Sequence, residues 1–204
     1  MLAIDCEMTG LDTELHAIIS IGAVDMSNPS RTFYGECRVF EGAELDPAAL
    51  GVNGFTKEQC LDQSKNSQKI LLESFVDWVK ESTNYTMLGQ NVAFDRVFLN
   101  KAFKREGIEF AFSHRVIDLH TTAYVEYLKA GRTIPVRGEK THTSVLNLDE
   151  ILLYVGLPKE PHPHNALTGA SVSAEAFNRM VYKKNLLSEF AEYPIPDHIQ
   201  TYLC

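Results

Sequence analysis

Three apolar stretches follow one another within the first forty residues, and after them helical and strand patterns alternate; this order limits the chain to a few architectures. Residues 2–6 form a short apolar run, Met8-Thr9-Gly10 turns the chain, and residues 17–24 form a β-branched run closed by residues 25–30. Residues 31–40 set Phe33, Gly35, Cys37 and Val39 on one side, the period-two pattern of a third strand paired by a hairpin to the second. The chain opens as three consecutive strands.

Beyond a loop over residues 46–56, Ile70, Leu71, Phe75, Trp78 and Val79 fall at helical spacing, and residues 85–88 read as a short strand. Val97, Phe98, Ala102 and Phe103 form the inner stripe of a helix ending near Gly107, residues 115–117 a fifth strand, and residues 119–129 another helix. This half is α/β. Residues 131–143, with Arg132, Pro135, Arg137, Gly138 and Lys140, lack apolar periodicity and read as a long mobile loop, the most basic stretch of the chain. Helices over 145–155 and 167–184 flank a turn rich in proline and histidine, and a short helix is expected over 186–192. The length suits one domain, 1–204, with 185–204 as a C-terminal extension packed on it.

Charge narrows the function. With 19 basic and 27 acidic residues and a net charge of −8, the chain does not coat nucleic acid by bulk electrostatics, so any such contact is local. No apolar run approaches the ~18 to 20 residues of a membrane span, and the start lacks the basic region of a signal or transit peptide, so a cytoplasmic address without membrane partners is the expectation. Cys6, Cys37, Cys60 and Cys204 are scattered and read as reduced thiols.

Asp5 and Glu7 stand two apart at the end of the first strand and so project from one face. Side by side, each raises the other's pKa; a divalent cation with a preference for oxygen, magnesium or manganese, relieves both. Taken alone, a D-x-E pair is more often a solvated strand edge. Asp95 falls in the first turn of a helix, where a carboxylate suits the positive end of the dipole and a capping role is the plain alternative.

Residues 5–12, Asp-Cys-Glu-Met-Thr-Gly-Leu-Asp, resemble the first motif of DEDDh-type 3′ to 5′ exonucleases, oligoribonucleases in particular. Residues 89–95, Gly-Gln-Asn-Val-Ala-Phe-Asp, resemble the second motif, with Gln90 where histidine is common, and residues 164–170, His-Asn-Ala-Leu-Thr-Gly-Ala, resemble the third. Residues 52–56, 117–118 and 148–157 align in order, so the resemblance covers nearly the whole chain; the third motif and the loop after the third strand also look like the epsilon subunit of DNA polymerase III.

The resemblance implies a ribonuclease H-like α/β fold: a mixed five-stranded sheet, its first three strands antiparallel, flanked by helices. It implies two Mg2+ or Mn2+ ions held by Asp5, Glu7 and Asp95, with His164 as general base. Met8, Thr9, Gly10, Asn91 and Phe94 would lie against the terminal nucleotide of a single-stranded DNA or RNA 3′ end, with a polymerase or other protein as a further partner. One position departs from the pattern. Gly169 stands where the family places its last metal-binding aspartate, and Glu175, almost two turns further on, does not substitute, so the site reads as one ligand short. Two functions follow: an active metal-dependent exonuclease releasing nucleoside monophosphates, impaired to the extent that Gly169 weakens one ion, or a catalytically weak module that binds nucleic-acid ends or a partner. For His164 a plain helix-capping role is the alternative, and for the basic loop a solvated surface.

Overall fold

The computed structural model describes residues 1–138 and 142–200. Its centre is a five-stranded sheet in the order β3-β2-β1-β4-β5. β1 (Leu2–Met8), β2 (Ile18–Asp25) and β3 (Thr32–Glu36) are antiparallel neighbours; β4 (Met87–Gly89) pairs parallel to β1, and β5 (Ile117–Asp118) parallel to β4. This is the expected mixed sheet. The hairpin half has connections too short for a crossover, whereas β4 and β5 are each reached through a helix, as parallel pairing requires. Those helices are α3 (Gln68–Lys80) and α4 (Val92–Glu106).

Period-two alternation in β1 divides the core. Leu2, Ile4 and Cys6 pack with Phe75 and Val79 of α3 and Phe98, Leu99 and Phe103 of α4. Ala3 faces the other way, into a cluster built from α5 (Leu119–Lys129), α6 (Leu148–Tyr154) and α7 (Ala166–Tyr182). Asp5 and Glu7 share the parity of Ala3 and therefore lie toward α7. Helix α7 can come close because its inner positions are small (Ala166, Gly169, Ala170, Ala174) and because Gly22, opposite Asp5 in the β1–β2 register, lacks a side chain. A Cβ on Gly22 would stand 2.1 to 2.2 Å from backbone atoms of Ala166 and Leu167. That gap sets the start of α7 directly over the carboxylate end of β1.

Several elements differ from the sequence reading. The 46–56 loop contains α1 (Pro47–Asn53), capped by Asp46 and closed by Gly54 at φ 73°, and α2 (Lys57–Leu61) follows with a Thr56–Gln59 capping box. These one- to two-turn helices are too short for periodicity to reveal. The basic segment is not a plain loop: β6 (Val136–Arg137) and β7 (Thr143–Ser144) pair as a small antiparallel ribbon. Glu139, Lys140 and Thr141 lie outside the described residues, as does Cys204. The third strand is confined to Thr32–Glu36, the fifth begins at Ile117, and the helix expected over 186–192 is one 3-10 turn, Ser188–Phe190, followed by α8 (Asp197–Gln200). Cys6, Cys37 and Cys60 are free and buried. Among the described residues no helix is long and apolar enough to cross a membrane.

The C-terminal segment is fixed by a buried ion pair on α7. Arg179 Nε donates to Glu175 Oε1 at 2.8 Å, both side chains fully buried. Its other nitrogens donate to the carbonyls of Val155, Phe190 and Tyr193, while Glu175 Oε2 accepts from the Leu186 and Leu187 amides at 2.8 and 2.9 Å. Both Glu175 oxygens and all three Arg179 nitrogens are hydrogen-bonded, so Glu175 stands as a structural pin, as its distance from Gly169 along α7 led one to expect.

Candidate metal centre

Four carboxylates from three elements gather where β1 meets α7. Asp5 and Glu7 come from β1, whose register against β2 shifts between Glu7 and Met8, a local irregularity that re-aims the strand end. Asp95 comes from the first turn of α4. Its Oδ1 accepts the Cys6 amide at 3.0 Å, and its carboxylate also accepts from its own backbone amide in the first turn of α4, whose N-cap Asn91 makes no side-chain cap bond. The fourth, Glu160, is the one sequence reasoning missed. It sits between Pro158 and Pro161 in the turn before α7, its amide donating to Asp149 Oδ1 of α6 at 3.3 Å.

Glu160 lies at the vacancy left by Gly169. A Cβ built on Gly169 would stand 2.3 Å from Asp5 Oδ2 and 3.3 Å from Glu160 Oε1, so both oxygens crowd the space that a side chain at 169 would fill. Glu160 is 7% exposed, and its Oε1 has no hydrogen-bond partner among the described residues. Along α7 the sequence offered no carboxylate near position 169; the structure brings one close from the preceding turn instead. A signal was present, since a glutamate bracketed by prolines and set one helical turn before the motif histidine is an unusual place for a charge to be held rigidly.

Burial and mutual repulsion dominate the electrostatics. Desolvation, then the charges of Asp95, Glu7 and Glu160, push Asp5 well above the ordinary carboxylate range. Burial, followed by Glu160 and Asp95, raises Glu7 to about 7; burial raises Asp95 to about 7, and burial with Asp149 raises Glu160 to about 7. Among the described residues no lysine or arginine forms an ion pair with any of the four. A set of buried carboxylates without basic partners is stable only protonated or with a cation, and an all-oxygen donor set suits a hard divalent ion. As they lie, no three such side chains are in ready ligating geometry, so holding an ion requires them to rotate toward it.

His164 stands beside this group. Its amide donates to the Val52 carbonyl at 3.1 Å, Nδ1 lies 3.8 Å from Glu160 Oε2, and the His162 ring stacks on it with centroids 4.6 Å apart. Burial, then His162, lowers its pKa below the usual 6.5, which keeps the imidazole neutral at pH 7. Capping of α7 falls to Asn165, whose Oδ1 accepts the Leu167 and Thr168 amides, so His164 is not the helix cap.

The remaining candidates ring the same strand end. Thr9 is fully buried, its hydroxyl donating to the Glu44 carbonyl and accepting from the Ala17 amide, which leaves the backbone and Met8 as what this turn presents outward. A Cβ on Gly10 would collide with the His16 ring. The Met8 carbonyl accepts from Asn53 Nδ2. Asn91 is exposed at φ 51°, and Phe94 is half-buried, edge-on to Phe98. Phe98 is core, and Phe55 lines a cleft of about 200 Å³ with Tyr34, Pro163 and His164. A larger concavity, about 630 Å³ along Arg38, Phe40 and Gln68, is lined by none of the four carboxylates; converging charge, not volume, marks an oxygen-ligand site.

Comparison with known proteins supplies the family and the fold. The exonuclease family model, RNase T, matches residues 2–177, from β1 into α7. A ribonuclease T of Shewanella frigidimarina is 28% identical over 145 residues, covering 65% of this chain and 65% of that protein. Among solved structures, Escherichia coli exonuclease I in complex with a 5cy-dT13 oligonucleotide superposes with a TM-score of 0.68 at 15% identity, over 89% of this chain and 41% of that one. The nuclease domain of 3′hExo, a DEDDh family member bound to rAMP, gives 0.66 at 20% identity, over 96% and 94%. The chain thus spans about two thirds of that ribonuclease T and less than half of exonuclease I.

Proposed function

Because the chain belongs to the RNase T exonuclease family, we propose that it hydrolyses single-stranded DNA or RNA from the 3′ end, releasing nucleoside monophosphates with the help of divalent cations. The observation that carries this reading is the buried set of carboxylates on β1, α4 and the turn before α7, unpartnered by any described lysine or arginine and flanked by a neutral histidine.

In this reading Asp5, Glu7 and Asp95 hold Mg2+ or Mn2+. The chemistry such ions supply, when bound, is neutralisation of phosphate charge and activation of water near neutral pH. The protein's own residues do the rest. Asp95 keeps α4 against the strand end through the Cys6 amide, which fixes the spacing of the carboxylates. With Nδ1 turned toward Glu160, His164 leaves Nε2 to accept a proton from the attacking water, the general-base role its lowered pKa favours. The turn at Met8, Thr9 and Gly10, with Asn91 and Phe94 across from it, receives the terminal nucleotide, and Arg132 and Arg137 near the β6–β7 ribbon draw in the phosphate backbone.

A second reading, a catalytically weak module that binds nucleic-acid ends, is favoured by Gly169 alone. One experiment separates them. A 5′-labelled single strand, as DNA and as RNA, is incubated with the protein with and without Mg2+ or Mn2+. Stepwise shortening from the 3′ end that requires the cation and disappears in Asp5→Ala is the expected result. Retention of the strand without cleavage supports the binding module, and internal cuts or cleavage in excess chelator sink the exonuclease reading.

A further inference from the structure

Gly169 removes one carboxylate from the motif, and the turn before α7 delivers another to the same point. We infer that Glu160 is a metal ligand of this centre, sharing with Asp5 and Glu7 the cation that an aspartate at position 169 would otherwise help to hold. The inference rests on the metal-dependent reading above and concerns only which residue completes the site.

Three observations carry it. The first is position: Glu160 Oε1 and Asp5 Oδ2 both lie within 3.3 Å of the place where a Cβ on residue 169 would be. The second is an unmet need. Glu160 is more than nine-tenths buried, its Oε1 has no hydrogen-bond partner among the described residues, and that oxygen lies on the side of the Asp5 carboxylate. A buried, unpartnered carboxylate oxygen is costly unless a cation or proton meets it. The third is support. Its amide is held by Asp149, Pro158 and Pro161 limit its backbone, and Pro163 of the same turn packs so closely on Gly54 that a Cβ there would meet it at 2.6 Å. A carboxylate held this firmly, with its other oxygen toward His164, is arranged as a site residue and not as a solvated surface charge.

The two carboxylate positions also compete for one space. A side chain added at 169 would collide with Asp5 Oδ2 at 2.3 Å and crowd Glu160 Oε1 at 3.3 Å, so the glycine and the glutamate act as one substitution in two parts. An aspartate restored at 169 is therefore expected to help only when Glu160 is gone.

The test is Mn2+ binding by the whole chain, followed by calorimetric titration and by the paramagnetic resonance signal of free Mn2+. The set comprises the unaltered protein, Asp5→Asn, Glu160→Gln, Gly169→Asp, and the double variant Glu160→Ala with Gly169→Asp; thermal melting verifies that each is folded. Glu160→Gln is expected to weaken one Mn2+ by at least the roughly 10- to 100-fold that loss of even an outer-shell partner costs. Gly169→Asp alone should give no gain, and the double variant should return the affinity to near the unaltered value. Unchanged Mn2+ affinity in Glu160→Gln, with binding still lost in Asp5→Asn, overturns the role of Glu160 and leaves the metal-dependent reading standing. Loss in Glu160→Gln without recovery in the double variant assigns Glu160 to holding the turn and also overturns it. No Mn2+ bound by the unaltered protein removes both.

Discussion

Two groups of buried carboxylates lie along α7, and they are built on opposite principles. At the helix's middle, Glu175 is paired with Arg179, accepts two backbone amides, and leaves no oxygen free. At its start, Asp5, Glu7, Asp95 and Glu160 face one another with no arginine or lysine paired to them among the described residues, and their pKa values rise together. Glu175 shows that this fold can satisfy a buried carboxylate fully. The four at the other end are an arrangement that stability alone would not select, which is what the proposed metal site would account for.

The largest expected effect comes from breaking the satisfied pair. Arg179→Ala leaves Glu175 charged and buried without its partner, and strips donors from the Val155, Phe190 and Tyr193 carbonyls. Loss of one member of such a pair costs about 3–5 kcal/mol. Denaturant unfolding should register it, while Mn2+ affinity in the remaining folded fraction stays close to normal. A large loss of metal affinity without loss of stability would mean that the two regions are not independent.

Next comes the contact that seats the unsatisfied group. In Gly22→Ala the new methyl meets backbone of Ala166 and Leu167, which cannot swing aside as a side chain can, so the start of α7 must lift from the sheet. Overpacking of this kind costs roughly 1–3 kcal/mol. Because Glu160, His164 and Gly169 are attached to that helix start, Mn2+ affinity should fall as well, the reverse of the Arg179 result. Equal loss of stability with unchanged affinity would break the link between helix seating and the site.

How much of this was legible in the sequence follows the same division. The alternation in β1 announced that Asp5 and Glu7 share a face, and the helical stripes of α3 and α4 and the motif around Asp95 identified the rest of the strand-borne frame. What escaped reading was short or purely spatial. The two-residue strands β6 and β7 and the brief α1 and α2 are below the length at which a period can be seen, although Asp46 before Pro47 and Gly54 after Asn53 were cap signals for α1. Glu160 escaped for another reason: a residue in a turn has no face to predict, and only the approach of that turn to β1 through Gly22 and Gly54 brings it to Asp5.

The pH dependence of stability should separate the two regions without mutation. Glu7, Asp95 and Glu160 have folded-state pKa values of about 7, above their ordinary values. Such groups favour the folded state while protonated, so their contribution is complete below the ordinary carboxylate range and is lost as pH rises through about 7. His164, lowered from 6.5, and the lowered N-terminal amine act in the opposite sense as pH falls, two groups against four carboxylates once the raised Asp5 is counted. The metal-free protein is therefore expected to melt at a lower temperature at pH 8 than at pH 5.5, and Mg2+ or Mn2+ should recover the difference at pH 8 and add little at pH 5.5. A melting temperature that rises over this interval without metal would show the four carboxylates to be satisfied after all.

The smallest effect is expected at Asp95, where both principles meet in one side chain. Its Oδ1 is satisfied by the Cys6 amide, as in the Glu175 pair, while its charge belongs to the repelling group. Asp95→Asn keeps a carbonyl oxygen for that amide and removes the charge, so metal-free stability should stay level or rise slightly while Mn2+ affinity falls. Asp95→Ala removes both, and an unpaired buried amide costs about 1–3 kcal/mol, so this variant should be the less stable of the two. The sign of the asparagine effect, read from metal-free melting near pH 8, distinguishes the roles: a loss as large as that of alanine would mean that the Asp95 charge, and not only its hydrogen bond, stabilises the fold, which the repulsion within the group does not allow.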